Sequence, residues 1–462
     1  MTDTRNLNLK EILTKAKEEG KKVNRQLVSY TRKINDFNPL AIFENGKELS
    51  QKKRMFWKRY DDQYIFVGIG NITEIVVENE GKQAIYNKWR RIVKEAIIYN
   101  PYQEAGVGLV AFGGIAFDPK KAPTPLWAKF AENEFRIPQF LFIKKKDSFY
   151  VTINMLINKD ENIEECLKEY ENIEKQLLGE RTIHPTMGKI IDKQEINPEQ
   201  WKQAIEDAKV NIQQKQTEKI VLARELRLHL SQSVDITSVL HTLIATQPNS
   251  YVFAYEQGTD CFVGATPEQL INVEGNQLQS MCVAGTAPRG RTDEEDERLN
   301  NELFHDKKNR EEHDYVVQMI RQSIEPFCYK IDIPNTPTVY PLKNLQHLYT
   351  PVTAILKSGQ HLFDLIDTLH PTPALGGTPK DTALAFIREH EHLDRGWYGA
   401  PIGWIDCHDN GEFAVAIRSA LIQEKEASLF AGCGIVKDSD TQTEYEETKI
   451  KFLPMLSVLG GS

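Results

Sequence analysis

Glu444, Glu447 and Lys451 fall at i, i+3 and i+7 in SDTQTEYEETKIKFLPML, so a helix sets them on one face, and Met455 continues that stripe. Ser439 to Thr441 can cap its start. A face running carboxylate, carboxylate, ammonium, thioether passes from a polar site into a core. The plainer reading is a surface Glu–Lys pair worth about 0.2–0.5 kcal/mol. In NREEHDYVVQMI, Glu312 shares a helical face with Val316 and Ile320 and so points to the buried side, where a carboxylate needs a partner. A hard divalent cation between Glu312 and Glu447 satisfies both, and an all-oxygen site with retained waters suits Mg2+; an arginine beside Glu312 serves equally well. Lys219 opens the alternating KIVLARELRLHL, and Glu268 follows a proline in GATPEQL; by spacing alone both read as surface residues. VAGTAPRG (283–290), ALGGTP (374–379), WYGAPIGW (397–404) and AGCGIV (431–436) read as glycine-rich turns whose N–H groups could cradle an anion. Together with the carboxylates and Arg418 they point to a polyanionic small ligand. The cluster His390-Glu391-His392 reads as a solvated helix face, because adjacent residues point in different directions.

These residues need elements to hold them. Strands are expected at 64–69, 74–78, 107–112, 138–144 and 148–156, where β-branched and aromatic residues concentrate. Helical periodicity covers 82–99 and 163–178. The Pro-containing stretch 183–198 reads as a connection and marks the main boundary. Beyond it, helices are expected at 198–214, 236–246, 293–304, 307–325, 361–369, 380–391 and 441–457. Strands are expected at 219–230, 251–255, 261–264, 268–274, 277–284, 337–342, 349–356, 401–407, 412–424 and 428–437. Consecutive strands joined by short turns imply antiparallel pairing and an α+β fold.

Composition sets the frame. The 462 residues are 40% hydrophobic and 27% charged, which supports a large core and excludes wholesale disorder. Six scattered cysteines lack C-x-x-C spacing, so a zinc ribbon, a thioredoxin-type site and a disulfide scaffold are all disfavoured, and reduced thiols suit the cytoplasm. The N-terminus lacks the apolar stretch of a signal peptide, and the longest uncharged apolar run, Ala105 to Phe117, is too short and glycine-rich to span a bilayer. A net charge of −9 argues against a nucleic-acid partner. Residues 1–60 carry 15 Lys/Arg against 7 Asp/Glu and read as a solvated helical face. P-loop, G-x-S-x-G and H-E-x-x-H patterns are absent, and Gly68/Gly70 and Gly106/Gly108 lack the third glycine of a dinucleotide fingerprint.

KIVLAR, FVGATPEQL, VAGTAPRG with its following acidic helix, NREEHDYVV, LQHLYT, LHPTPALGG, DRGWYGAPIGW, FAVAIRSALI and AGCGIVKDSDTQTEYEETKIK occur in that order. Together they resemble the chorismate-utilising enzymes, a family that includes anthranilate, aminodeoxychorismate, salicylate and isochorismate synthases. The resemblance covers about residues 195–458, the catalytic region. It implies large, mostly antiparallel sheets packed together with helices outside, with residues 1–190 completing the same composite fold. By resemblance, Glu312 and Glu447 are Mg2+ ligands with Glu444 close by, Lys219 is the base that deprotonates water, and Glu268 is the general acid. His347, Arg418 and Lys451 match residues that contact the substrate, chorismate. Gly285, Thr286, Ala374, Leu375, Tyr398, Ile417 and Gly432 would line the pocket.

The residue types also discriminate within the family. Ala284 stands where aminodeoxychorismate synthases typically carry a nucleophilic lysine, which closes a covalent route. A lysine at Lys219 implies water rather than ammonia as nucleophile, leaving isochorismate, or salicylate if pyruvate is then eliminated. The HPTPALGG and DRGWYGAP blocks lean to an isomerase of the isochorismate synthase kind. The long N-terminal half leans to its menaquinone-pathway type, with no obligatory glutaminase partner. The alternatives are a siderophore-pathway isochorismate synthase, a salicylate synthase, an amidotransferase-coupled subunit and a non-catalytic binding module. Two departures are Thr441, where a proline is usual, and Cys433, where a small residue is common and a buried thiol is expected to be inert. On this reading desolvation or nearby positive charge must lower Lys219 from about 10.4, and Glu268 must be raised.

Overall fold

Many strands of this chain are apolar on both faces, which is what a sheet covered on both sides requires. In Asp260–Thr266, Cys261, Val263 and Ala265 face one buried cluster and Phe262 another; in Tyr251–Gln257, Val252 and Ala254 alternate with Tyr251, Phe253 and Tyr255 in the same way. A computed structural model describes residues 8–19, 25–50, 52–341 and 345–461 and shows what covers them. Among these residues the strands form a 13-stranded and a 10-stranded sheet. The larger runs in the order Ile190–Glu195, Lys219–Leu230, Glu426–Ile435, Ser419–Gln423, Asp260–Thr266, Tyr251–Gln257, Arg54–Lys58, Tyr64–Ile69, Phe140–Lys145, Ser148–Ile157, Gln26–Ile34 and Ile97–Tyr99, with Gly377–Thr378 beside the Lys219 strand. The smaller runs Cys328–Asp332, Leu345–Leu356, Gln277–Pro288, Gln269–Glu274, Gly411–Val415, Pro401–Asp406, Val110–Ile115, Asn133–Ile137 and Thr73–Val77, with Thr338–Pro341 beside Leu345–Leu356. Pairing is antiparallel except between Gln26–Ile34 and Ile97–Tyr99.

An aromatic layer lies between the sheets. Trp57, Phe66, Tyr251 and Phe262 of the larger meet Phe112 and Trp404 of the smaller, with the Trp57 and Phe112 rings 5.8 Å apart. Outside the larger sheet pack Leu9–Glu19, Pro39–Leu49, Ile236–Thr246 and Thr441–Val458, through residues such as Leu13, Ile42, Leu240 and Met455. Outside the smaller pack Lys82–Glu95, Lys307–Ile324 and Leu362–Leu369, through Trp89, Val316 and Ile366. The fold is therefore α+β, with two large, mostly antiparallel sheets inside and helices outside. No helix among the described residues is long and apolar enough to cross a membrane.

Both sheets mix strands from before and after residues 183–198, and that expected connection itself carries Ile190–Glu195, paired with the Lys219 strand. The solvated-face reading of residues 1–60 holds for the helix Leu9–Glu19, where Lys10, Glu11 and Glu18 are exposed, but fails further along. The strands Gln26–Ile34 and Arg54–Lys58 lie inside the larger sheet, and Arg54 is 2% exposed. Its charge is tolerated because the guanidinium donates to both Glu256 oxygens at 2.6 Å and to the Phe43 carbonyl at 2.7 Å. Residues 1–7, 20–24 and 51 of that stretch lie outside the described residues.

Candidate active site

A single cavity of about 680 Å3 takes its walls from both sheets and two of the outer helices. The strand Lys219–Leu230 explains one wall. Its period of two turns Lys219, Val221 and Ala223 to the cavity, while Ile220 and Leu222 pack with the helices Pro198–Gln213 and Lys380–His390. On the neighbouring strand, Gly434 pairs with Val221 and Gly432 with Ala223; both glycines face the cavity while Cys433 and Ile435 turn away. A Cβ at Gly434 would stand 2.6 Å from Lys219 Cε, so the missing side chain makes room for the lysine. The AGCGIV stretch, read from the sequence both as a glycine-rich turn and as part of the strand expected at 428–437, follows the strand reading through Ile435, and its glycines open a floor.

The opposite wall comes from the smaller sheet. VAGTAP, also expected as a turn, lies in the strand Gln277–Pro288, which bulges at Gly285 (φ +77°). The bulge brings Thr286 opposite His347, with Thr286 Oγ1 and His347 Nδ1 3.0 Å apart. Burial, helped by the charges of Arg418 and Lys451, lowers His347 to about 3, so its imidazole is neutral at neutral pH.

Two residues sit where the chain passes between sheets. Glu268 lies between Asp260–Thr266 of the larger sheet and Gln269–Glu274 of the smaller. Burial raises its carboxyl to about 7 against the opposing pull of Arg418, Lys219 and Lys451. Arg418 lies between Gly411–Val415 and Ser419–Gln423, with φ +52°. The single strand expected at 412–424 breaks here because the chain changes sheets. Among the described residues Arg418 has no ion-pair partner; burial lowers its guanidinium, while Tyr398, Glu447 and Glu268 oppose the shift.

Helices supply the carboxylates. Asp306 caps Lys307–Ile324 by accepting from the Asn309 N–H, and Val316, Ile320 and Ile324 bury one stripe. Glu312, one turn earlier, reaches the cavity, where Lys219 Nζ donates to its Oε1 at 2.6 Å. Burial alone would raise the Glu312 carboxyl, but the Lys219 ammonium outweighs it and holds the group below its ordinary value. The group set against Lys219 is therefore a carboxylate, where desolvation or a positive neighbour was expected. Asp440 caps Thr441–Val458, which turns Glu444, Glu447 and Lys451 to the cavity and Met455 into the core. Lys451 Nζ lies 2.5 Å from Glu447 Oε1 and donates to the Gly432 carbonyl at 2.8 Å. Burial and the Glu447 charge raise Glu444, against hydrogen bonds from Ser439 and Cys433. Ala374, Leu375, Tyr398 and Ile417 complete the lining, so every site residue named from the sequence borders this one cavity.

Residues 11–460 match the chorismate binding enzyme family. The chain belongs to that family. It is 41% identical to isochorismate synthase MenF of Bacillus subtilis (strain 168), over 98% of this chain and 97% of the relative. It is 33% identical to the salicylate biosynthesis isochorismate synthase of Pseudomonas aeruginosa, over 94% of this chain and 91% of the relative. Its fold resembles MenF, the menaquinone-specific isochorismate synthase from Escherichia coli, with a TM-score of 0.79 at 23% identity, covering 97% of this chain and all of that one.

This chorismate-binding chain also uses residues that sequence reasoning passed over. Arg395 is buried and binds both Glu391 oxygens at 2.7 Å, and it donates to the Leu375 and Val221 carbonyls at 2.9 and 2.7 Å. Glu391 accepts in turn from the Ala223 N–H at 2.7 Å. This pair clamps the Ala374–Leu375 loop to the Lys219 strand. Glu391 is therefore a buried ion-pair partner, 3% exposed, and not part of a solvated face. An acid and a base four residues apart at a helix end was the available signal. His313, beside Glu312, is buried between the Ala284 carbonyl at 3.2 Å and Thr350 Oγ1 at 2.7 Å, which fastens the Glu312 helix to two strands. Among the described residues no three His, Cys, Asp or Glu side chains converge as a ready-made metal site. The donors that border the cavity are nonetheless carboxylates on facing helices, Glu312, Glu444 and Glu447, a set that fits a hard, oxygen-preferring cation.

Proposed function

We propose that this protein is an isochorismate synthase, an isomerase that converts chorismate to isochorismate, of the menaquinone-pathway type. One observation carries the reading: an amine and a carboxyl, Lys219 and Glu268, border the same cavity as the guanidinium of Arg418, which has no ion-pair partner among the described residues. The near-full-length identity to an isochorismate synthase supports it. Chorismate carries two carboxylates, and Arg418 offers the planar donor set that binds one. Lys451, positioned by Glu447 and the Gly432 carbonyl, adds a second cation. His347, neutral and tied to Thr286, can donate or accept at the polar substrate without adding charge.

Lys219 takes a proton from water, and the resulting hydroxide equivalent bonds to ring C2. The ring double bonds shift, the C4–O bond breaks, and Glu268 gives its proton to the departing hydroxyl, so one water enters and one leaves. A carboxyl raised to about 7 retains protons to give at neutral pH. Lys219 donates to Glu312 here, so in the proposed step its ammonium first releases that proton to solvent, and the free amine then takes one from the attacking water. Glu312 and Glu447 would hold Mg2+, with Glu444 close by; when bound, the ion orients the ring carboxylate and polarises the conjugated diene. Water as the nucleophile makes a glutaminase partner unnecessary. The described cysteines are all free thiols, which supports a cytoplasmic setting.

The decisive experiment is incubation of purified protein with chorismate and Mg2+, followed by separation of products. Reversible formation of isochorismate is expected. Salicylate with pyruvate, in the absence of a second enzyme, would replace the reading with a salicylate synthase; an ammonia-dependent aromatic product would replace it with an amidotransferase-coupled subunit. Lys219→Ala should abolish turnover while calorimetry still detects chorismate binding.

A further inference from the structure

Glu268 borders a second, far smaller cavity as well as the large one. It measures about 10 Å3, close to the roughly 10–15 Å3 that one water molecule needs. Leu270, Met281, Val283, Val316, Ile320 and Leu369 make most of its wall. Four polar residues border it: Glu268, Gln269, Ser280 and Thr372. Gln269 is engaged elsewhere, donating to Tyr251 Oη at 2.9 Å and to Glu412 at 3.1 Å. Ser280 Oγ donates to the Leu270 carbonyl at 2.7 Å, which leaves its lone pairs able to accept. Thr372 is 5% exposed, and among the described residues its Oγ1 has no hydrogen-bond partner. Buried hydroxyls are normally paired, with protein or with ordered water. Glu268 feels the charges of Arg418, Lys219 and Lys451, yet among the described residues no side chain hydrogen-bonds to its carboxyl.

We propose that one resident water molecule occupies this cavity and links Thr372 and Ser280 to the carboxyl of Glu268, making Thr372 and Ser280 positioning residues for the acid. The Thr372 hydroxyl donates to the water, which in turn donates to Ser280 Oγ and to one Glu268 oxygen. A water so placed has three polar partners, the number typical of buried water. It engages one oxygen of the carboxyl and leaves the protonated one for the large cavity. Thr372 also belongs to the segment that continues into Pro373, Ala374 and Leu375 on the large cavity's wall, so the same loop both shapes the substrate space and seats the acid. The inference rests on the reading of Glu268 as the proton donor.

The test is steady-state kinetics on Thr372→Val, Thr372→Ser, Ser280→Ala and the double variant Ser280→Ala/Thr372→Val. Losing the bridge should lower kcat about three- to tenfold in Thr372→Val, with KM for chorismate unchanged. Thr372→Ser, which keeps the hydroxyl, should restore kcat. The double variant should be no slower than Thr372→Val, because both remove the same water. Wild-type kcat in Thr372→Val, an equal loss in Thr372→Ser, or multiplying losses in the double variant would each overturn the inference. If Thr372→Val does not fold, Ser280→Ala decides alone: a lowered kcat at constant KM supports the water, and an unchanged kcat removes it. Glu268→Gln separates the two levels. An active Glu268→Gln defeats the acid assignment itself, whereas an inactive one beside a fully active Thr372→Val defeats only the water.

Discussion

Glu268 and Lys219, the proposed acid and base, stand in unlike surroundings. If Glu268 is the proton donor proposed above, a carboxyl raised to about 7 from 4.5 should give the forward rate a limb that falls as pH climbs through about 7. It also enters stability. Between 4.5 and about 7 the folded chain keeps a proton that the unfolded chain releases, so this group's contribution to stability declines as pH rises through that window. Glu268→Gln should abolish activity and flatten that part of the stability profile, read from urea midpoints at several pH values; an unaltered slope would contradict the assignment. Gly434 makes a sharper test of geometry. An added methyl would crowd Lys219 Cε at 2.6 Å and Nζ at 3.3 Å, and the flexible tip must yield. Gly434→Ala should cut kcat at least tenfold with little change in thermal midpoint, because a displaced amine no longer meets the attacking water. Wild-type turnover in that variant would show that the amine's position is not critical.

At the scale of elements, the buried pair of Arg395 and Glu391 holds the Ala374–Leu375 loop against the Lys219 strand. Arg395→Met leaves a carboxylate buried without its partner and should cost about 3–5 kcal/mol, measured as a shift in the urea transition. Elements whose own residues carry the signal were legible before the structure. The strand Lys219–Leu230 and the helix Ile236–Thr246 have the bounds that alternation and periodicity predict. Elements that depend on distant partners were not. Arg54–Lys58 is charged at both ends and reads as surface, yet Glu256, some 200 positions away in the chain, lets Arg54 lie inside the sheet. The break near Arg418 is equally hidden, because a left-handed residue at a sheet crossing follows from what the two strands pair with. The site divides in the same way. Glu312, Glu444, Glu447 and Lys451 show their direction through helical spacing, whereas Arg395, Gly434 and Thr372 gain their importance from neighbours met only in three dimensions.

For the molecule as a whole, residues 195–462 cannot be cut from the part before them without cost. The strand Tyr251–Gln257 pairs with Arg54–Lys58, and Pro401–Asp406 pairs with Val110–Ile115. Removing residues 1–194 would bare both edges and the aromatic layer beneath, so a chain of 195–462 should be insoluble or unfolded by circular dichroism and gel filtration. A soluble, active fragment would refute that. The aromatic layer has a further consequence. The amine rides on one slab of strands, and the carboxyl stands at the passage to the other. The stack of rings centred on Trp57 and Phe112 therefore works as a gauge block: it sets the spacing between the sheet that carries Lys219 and the passage that carries Glu268, the span that the proposed pair of proton transfers would use.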